Sequence, residues 1–209
     1  MTRESKEQTR KRNIDIILRA AEIAFADHGY RGASISMIAK MAELPKSNVT
    51  YYFESKELLY KEVLSNICLL WLEAGGEIKA ENDPDEALTH YIYDKMELAR
   101  TRPYGSKVWA NEIIHGASFI HPYLRSVVKD WVSKHSKVFE YWIEKGLMRP
   151  VDARTVFYMI WSITQHYADF DAQIRILNDE KFLSKEQWEE AKQTVAKTIT
   201  SGLRPVRTS

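Results

Sequence analysis

Residues 34–59 read SISMIAKMAELPKSNVTYYFESKELL, and the punctuation inside this stretch decides the fold. Ser34 is placed to cap a short helix carrying Ile35, Ile38, Ala39 and Ala42 on one face. Glu43-Leu44-Pro45 breaks that helix. Pro45 then opens a second short helix, where its missing N–H costs nothing, and this one runs to about Tyr52. Two short helices, each apolar on one face and joined by a tight turn, form a helix-turn-helix whose second helix suits a DNA major groove. Val49 and Phe53 are its inward anchors. Lys46, Ser47, Asn48, Thr50 and Tyr51 are left as outward hydrogen-bonding groups, with one cation among them. Ser34, Tyr52 and Lys56 are candidates for phosphate contacts, and Lys46, Asn48 and Thr50 for base edges. An ordinary αα-hairpin with a wet face carries the same pattern, so the two helices alone leave both readings open.

Helical signals continue on both sides. Before the stretch, Ile14, Ile17, Leu18, Ala21, Ala24 and Phe25 fall on one face of a helix from about Asn13 to His28, with Gly29 at its C′ position. After it, Ser55 caps a helix with Leu58, Leu59, Val63, Ile67, Leu70 and Trp71. Asp83-Pro84-Asp85-Glu86 then starts a helix that stops before Pro103. Further helices read from Ser106 to His115, from Pro122 to Gly146, from Asp152 to about Phe170, and from Ser184 to Gly202. The chain is thus all-α, with about nine helices and neither a strand pattern nor an internal repeat.

Composition narrows the class. Thirty Lys/Arg against 29 Asp/Glu leave a net charge of +1, so the whole chain is no obvious polyanion binder. The distribution is uneven: residues 1–61 hold eleven basic and eight acidic side chains, a net of +3, and residues 1–12 hold five basic and two acidic. A solvated face would account for so small an excess equally well. No apolar run approaches the roughly 20 residues of a membrane span, and the charged start MTRESKEQTRKR is no secretory signal. Cys68 is the single cysteine, which removes disulfide and multi-cysteine zinc frameworks and fits a cytoplasmic location.

The stretch 34–59 resembles the DNA-binding motif of the TetR family of bacterial transcription regulators. The likeness rests on Ile38-Ala39, Ala42, Lys46, Val49, Tyr51, Phe53, Ser55-Lys56-Glu57 and Leu59, preceded by Ala20-Ala21, Phe25, Gly29, Tyr30 and Ser34. Two residues depart from the pattern. Glu43 stands where the family has Gly, so it is expected to take a left-handed conformation at a cost of about 1 kcal/mol. Pro45 stands where Ser or Thr is common, which removes a side-chain phosphate contact. The resemblance implies a DNA-binding domain over 1–60 and a ligand-binding and dimerisation domain over 61–209. It also implies a homodimer on palindromic double-stranded DNA, a small-molecule effector and no cofactor.

The helix 152–170 carries apolar residues all round, so a second subunit is expected to cover one side of it. With the seam of the last helix, Val156, Ile160, Trp188, Val195 and Ile199 become the expected dimer interface; a large monomer core is the alternative. Thr164, Gln165, His166 and Asp169 are polar interruptions that either bond one another or face a ligand. The string Met159–Phe170, Trp71-Leu72, Glu112 with Gly116-Ala117, and Gly202-Leu203-Arg204-Pro205 resemble the pyrimidine-utilisation, uracil-sensing subgroup of the family. Asn111 and His115 depart from it. That resemblance implies a planar pyrimidine-type effector, with Gln165 or Asn111 pairing its edge. Trp71, Trp109 and Tyr167 would wall it, and Glu112 and His115 would close the polar side. Against this stands Glu112-x-x-His115, half of a carboxylate metal site in a helical bundle. His166 and Asp169 are a second possible ligand pair. No second Glu-x-x-His, HExxH, P-loop or nucleophile-elbow motif accompanies them, so no enzyme is expected.

Overall fold

Caps set most helix boundaries in the computed structural model, which describes residues 5–205. Arg3 and Glu4 of the basic N-terminal stretch lie outside the described residues. α1 (Lys6–Gly32) starts a full two turns earlier than expected, because Ser5 and Gln8 form a reciprocal capping box ahead of the polar run. Gly29, at φ 66, breaks its helical geometry as a C′ glycine does, and a last turn follows to Gly32. α2 (Ile35–Met41) is capped by Ser34, and α3 (Lys46–Tyr52) follows Pro45. α4 (Lys56–Glu73) starts at Ser55, whose hydroxyl accepts from Leu58 N, and passes into a 3₁₀ turn at Ala74–Glu77.

α5 (Pro84–Thr101) starts at the Asp83 cap, and α6 spans Pro103–Ile114. The single helix expected over 122–146 is instead a short α7 (His121–Tyr123), a π turn at Leu124–Val128 and α8 (Lys129–Glu144). α9 (Ala153–Asp169) and α11 (Lys185–Ser201) carry the predicted caps at Asp152 and Ser184. Between them lies α10 (Asp171–Leu177), which has no side-chain cap and so left no start signal in the sequence. No strand occurs among the described residues.

The chain divides into two compact units. The first runs up to Cys68 and includes Tyr104–His121; the second comprises Leu69–Pro103 and the chain from Pro122 on. The expected boundary at residue 60 falls inside α4, whose residues up to Cys68 lie in the first unit. Val63, Leu64, Ile67 and Cys68 of α4 are buried in the first unit, as are Val108 and Glu112 of α6. The core of the first unit joins Ile17, Ala21 and Phe25 of α1 to Ile38 of α2, Val49 of α3 and Leu59 of α4, all at most 1% exposed. Each of these side chains other than Ala21 contributes about 1.5–3 kcal/mol of burial.

The second unit packs Leu88, Tyr91 and Ile92 of α5 against Phe139 and Trp142 of α8 and Phe157 of α9. The expected dimer-interface residues Val156, Ile160, Trp188, Val195 and Ile199 all belong to this intramolecular core, with α5 packed on both α9 and α11 and α8 on α9. The exposed apolar side chains of α9 are Tyr158 and Met159.

Candidate nucleic-acid interface and effector site

The turn between α2 and α3 closes as a Schellman motif: Leu44 N donates to Ala39 O at 3.0 Å and Glu43 N to Lys40 O at 3.2 Å. This geometry requires a left-handed C′ residue. Glu43 takes φ 53, the conformation expected of the residue replacing glycine. The turn presents α3 with Val49 fully buried and Lys46, Ser47, Thr50 and Tyr51 exposed, Tyr51 at 78%. Asn48 is half-buried. The Thr50 hydroxyl donates back to the Lys46 and Ser47 carbonyls, which leaves its lone pairs for an outside donor. Ser34 accepts from Met37 N at 3.2 Å and keeps its hydroxyl proton for an acceptor.

The other two expected phosphate ligands are engaged inside the unit. Tyr52 Oη accepts from Asn13 Nδ2 at 3.3 Å, and the Arg10 guanidinium lies 6.0 Å from its ring, so Tyr52 ties α3 to α1. Lys56 is engaged more fully. Its Nζ donates to Tyr30 O at 2.8 Å and Ala33 O at 3.0 Å and lies 4.6 Å from the Tyr30 ring centroid. Lys56 therefore caps the end of α1 and is not a free surface cation. The spacing of one sequence cannot distinguish the two roles.

A second engaged group is Glu112. It is buried in the first unit, where Oε2 accepts from Tyr60 Oη at 3.1 Å and Oε1 from Phe119 N at 2.7 Å. Burial, then the Glu112 charge, pushes the Tyr60 phenol well above its ordinary value, so it stays protonated. Tyr30, Tyr60 and Phe119 pack around this bond with ring centroids 4.5–5.3 Å apart. α6 ends at Ile114; His115 N still donates to Asn111 O at 3.1 Å, and its Nδ1 meets the same carbonyl at 2.7 Å. Asn111 and His115 are exposed. Glu112 of the possible metal pair spends its two carboxylate oxygens on Tyr60 and Phe119, and no cluster of three potential metal ligands occurs among the described residues. Of the expected effector set on α6, Glu112 is buried, Asn111 and His115 are exposed, and Trp109 is half-buried.

Trp71, Gln165 and Tyr167 lie in the second unit. Trp71 has the Lys95 ammonium 4.0 Å from its ring centroid. Lys95 is only 2% exposed, and sequence reading missed it because its position on the apolar face of α5 was the one available signal. One turn before Lys95, Tyr91 Oη accepts from Trp161 Nε1 at 2.6 Å, and one turn after Trp161 stands Gln165. Trp161 also packs on Trp131 and Phe157, with centroids 6.3 and 6.2 Å away. It lines a groove of about 750 Å³ with Val128, Val132 and Phe139, next to the π turn.

Thr164 bonds back to Ile160 O at 2.8 Å, His166 stacks on exposed Phe170, and Asp169 has a partner within the chain. The half-buried Gln165 amide makes no hydrogen bond among the described residues. Tyr167 instead packs edge-on against Trp188, 5.3 Å between centroids, and lines a different cavity.

An exposed reader helix on a buried tripod, followed by a second helical unit with interior space, defines a DNA-binding transcription regulator with a sensor region. The chain belongs to the TetR family: residues 17–63 match the bacterial regulatory proteins of the tetR family, and residues 64–206 match the C-terminal region of YcdC-like proteins. It is 32% identical over 189 residues to the HTH-type transcriptional regulator RutR of Escherichia coli (strain K12), covering 90% of this chain and 89% of RutR. These relatives are transcription regulators and not enzymes.

Solved structures share the fold at low identity. The transcriptional regulator SCO4942 from Streptomyces coelicolor superposes with a TM-score of 0.68 at 22% identity, over 92% of this chain and 98% of that one. AibR, in complex with isovaleryl coenzyme A and operator DNA, gives 0.66 at 17%, over 89% and 97%. No described helix is long and apolar enough to cross a membrane.

Proposed function

We propose that the protein is a cytoplasmic, homodimeric repressor whose two α3 helices read successive major grooves of a palindromic operator and whose affinity for DNA is set by a pyrimidine-type effector. The observation that carries the DNA part is the outward face of α3: Lys46, Ser47, Thr50 and Tyr51 stand exposed on a helix anchored by fully buried Val49. Lys46, Asn48 and Thr50 read base edges, Ser34 and Tyr51 position the backbone, and Tyr52 holds α3 on α1. Lys46→Ala is expected to weaken specific binding by about 1–3 kcal/mol and relax the preference at one base pair. Equal affinity for random DNA and for sites near its own gene would overturn this assignment.

The dimer forms through the outward faces of α9 and α11. Met159 and Ile163 there line a groove of about 350 Å³ with Thr198 and Gly202, and Tyr158 and Met159 are about half exposed, at 58% and 48%. Met159→Asp is expected to give monomer by size-exclusion light scattering while the helical circular dichroism is kept.

The effector part rests on the 32% identity to RutR and on the unengaged Gln165 amide. A planar ring stacked near Trp71 and Trp161 presents carbonyl acceptors beside N–H donors, and one side-chain amide matches both. To release DNA, the effector must bind the DNA-incompetent shape more tightly; equal affinity shifts nothing. Calorimetric titration with uracil, thymine and dihydrouracil decides it: binding below about 1 mM that Gln165→Leu weakens supports the assignment. No binding at that concentration, or an unchanged Gln165→Leu, removes it and leaves the DNA assignment standing.

A further inference from the structure

The second unit contains a cavity of about 550 Å³ bounded by the C-terminal ends of α5 and α9, by α10, and by the loop into α11. Tyr167, Ile174, Phe182, Leu183 and Trp188 form its apolar walls. Trp188 is 8% exposed, and its buried indole N–H has no acceptor.

Its charges are asymmetric in what they already touch. Glu97 accepts from Arg100 Nε at 3.2 and 3.1 Å, Glu189 pairs with Lys192 at 2.8 Å, and Asp171 has a partner within the chain. Arg175, Lys181 and Lys185 make no ion pair among the described residues. The Arg175 guanidinium lies 5.6 Å from the Phe182 ring centroid, which holds it at the mouth.

The rim is rigidly built. Asp179 and Glu180 both take positive φ, 54 and 62, a conformation that L side chains rarely adopt. The Asn178 amide fixes the turn by donating to Lys181 O at 3.1 Å and Phe182 O at 3.3 Å, and Gln187 Nε2 donates back to Asn178 Oδ1 at 2.8 Å. Gln187 Oε1 also accepts from Ser184 N at 2.8 Å. The clamp holds Lys181 beside a phenylalanine that is 72% exposed. A strained turn held by reciprocal amides, with an apolar ring and three unpaired cations at the mouth of a cavity, is a preorganised site and not a solvated loop.

We infer that this cavity binds an amphipathic monocarboxylate, an aromatic or medium-chain acid. Its body packs on Tyr167, Ile174 and Trp188 beneath Phe182, and its carboxylate meets Arg175, Lys181 and Lys185. The site is separate from the groove beside Trp161, and of the residues assigned to the pyrimidine effector only Tyr167 borders it. The inference does not depend on the pyrimidine reading.

Titration of the full-length protein with phenylacetate and octanoate, against the neutral phenylacetamide and octanamide, tests it. At least one acid is expected to bind below about 2 mM, with its amide about tenfold weaker or worse. The double variant Arg175→Gln/Lys181→Gln, both side chains exposed, is expected to lose about tenfold in acid affinity at an unchanged melting temperature. Gln165→Leu and excess uracil are expected to leave acid binding unchanged. Absence of acid binding at about 2 mM, equal binding of the amides, an unaffected double variant, or competition by uracil would each overturn the inference.

Discussion

The two units use their aromatic side chains in opposite ways. In the first, Phe25, Tyr30, Tyr60 and Phe119 close on one another around the buried Glu112 carboxylate, while the outer face of α3 stands exposed. In the second, indole N–H groups hold loop and helix ends at a distance: Trp131 donates to Leu72 O at 3.1 Å and Trp142 to Ala80 O at 3.3 Å. Around these struts lie grooves and cavities of hundreds of Å³. The reader is a closed packing problem with its chemistry outside; the sensor is a scaffold with its chemistry inside. The same residue types thus signal stability in one unit and space for a ligand in the other.

The contrast can be broken experimentally, and the largest effect is expected in the closed unit. Glu112→Ala leaves the Tyr60 hydroxyl and the Phe119 N–H without an acceptor in a buried place, so a loss of about 2–4 kcal/mol by urea unfolding is expected. Tyr60→Phe removes one donor and leaves Glu112 bonded to Phe119, for a loss of about 1 kcal/mol. Equal losses would show that the carboxylate is not the organising group. Among the struts, a Cβ at Gly75 meets the Trp131 ring, whereas one at Gly76 meets nothing within 4 Å. Gly75→Ala should therefore cost about 1–3 kcal/mol and Gly76→Ala less than about 0.5, by thermal melting.

Lys56→Ala, read as loss of a cap, should cost about 1–2 kcal/mol of stability, and its salt slope in DNA binding should match wild type. A slope lower by about one, with no change in stability, would return Lys56 to the phosphate contacts.

His135 gives a smaller, pH-dependent effect in the open unit. Burial pushes its imidazole below the ordinary 6.5, against the bond from the ring to Trp131 O. The folded state then binds the proton less readily than the unfolded chain. Its contribution is fully present above 6.5 and is lost as the pH falls through the lowered value, with a slope of at most about 1.4 kcal/mol per pH unit. Stability measured from pH 7.5 down to 5 should fall more steeply in wild type than in His135→Gln. The smallest effect is expected at the reader turn: Glu43→Gly relieves the left-handed φ and should gain about 0.5–1 kcal/mol with operator affinity unchanged.

Much of this molecule was legible in local signals. The break at Glu43-Leu44-Pro45, the caps at Ser34, Ser55, Asp83, Asp152 and Ser184, and the left-handed demand on Glu43 are properties of a few adjacent residues. Each acts through hydrogen bonds to the backbone within five positions, so the sequence alone determined the helix-turn-helix and the all-α class. The side-chain partners were decided elsewhere. Lys56 meets carbonyls 23 and 26 residues away, Tyr60 meets Glu112 across 52 residues, and Trp161 reaches Tyr91 across 70. Periodicity marks α9 and α11 as apolar, but whether Val156, Ile160 and Ile199 face a partner or their own chain depends on α5 and α8 filling that side first. A helical face carries no record of which surface will cover it; only the packed tertiary structure, in which each buried face has one occupant, decides that.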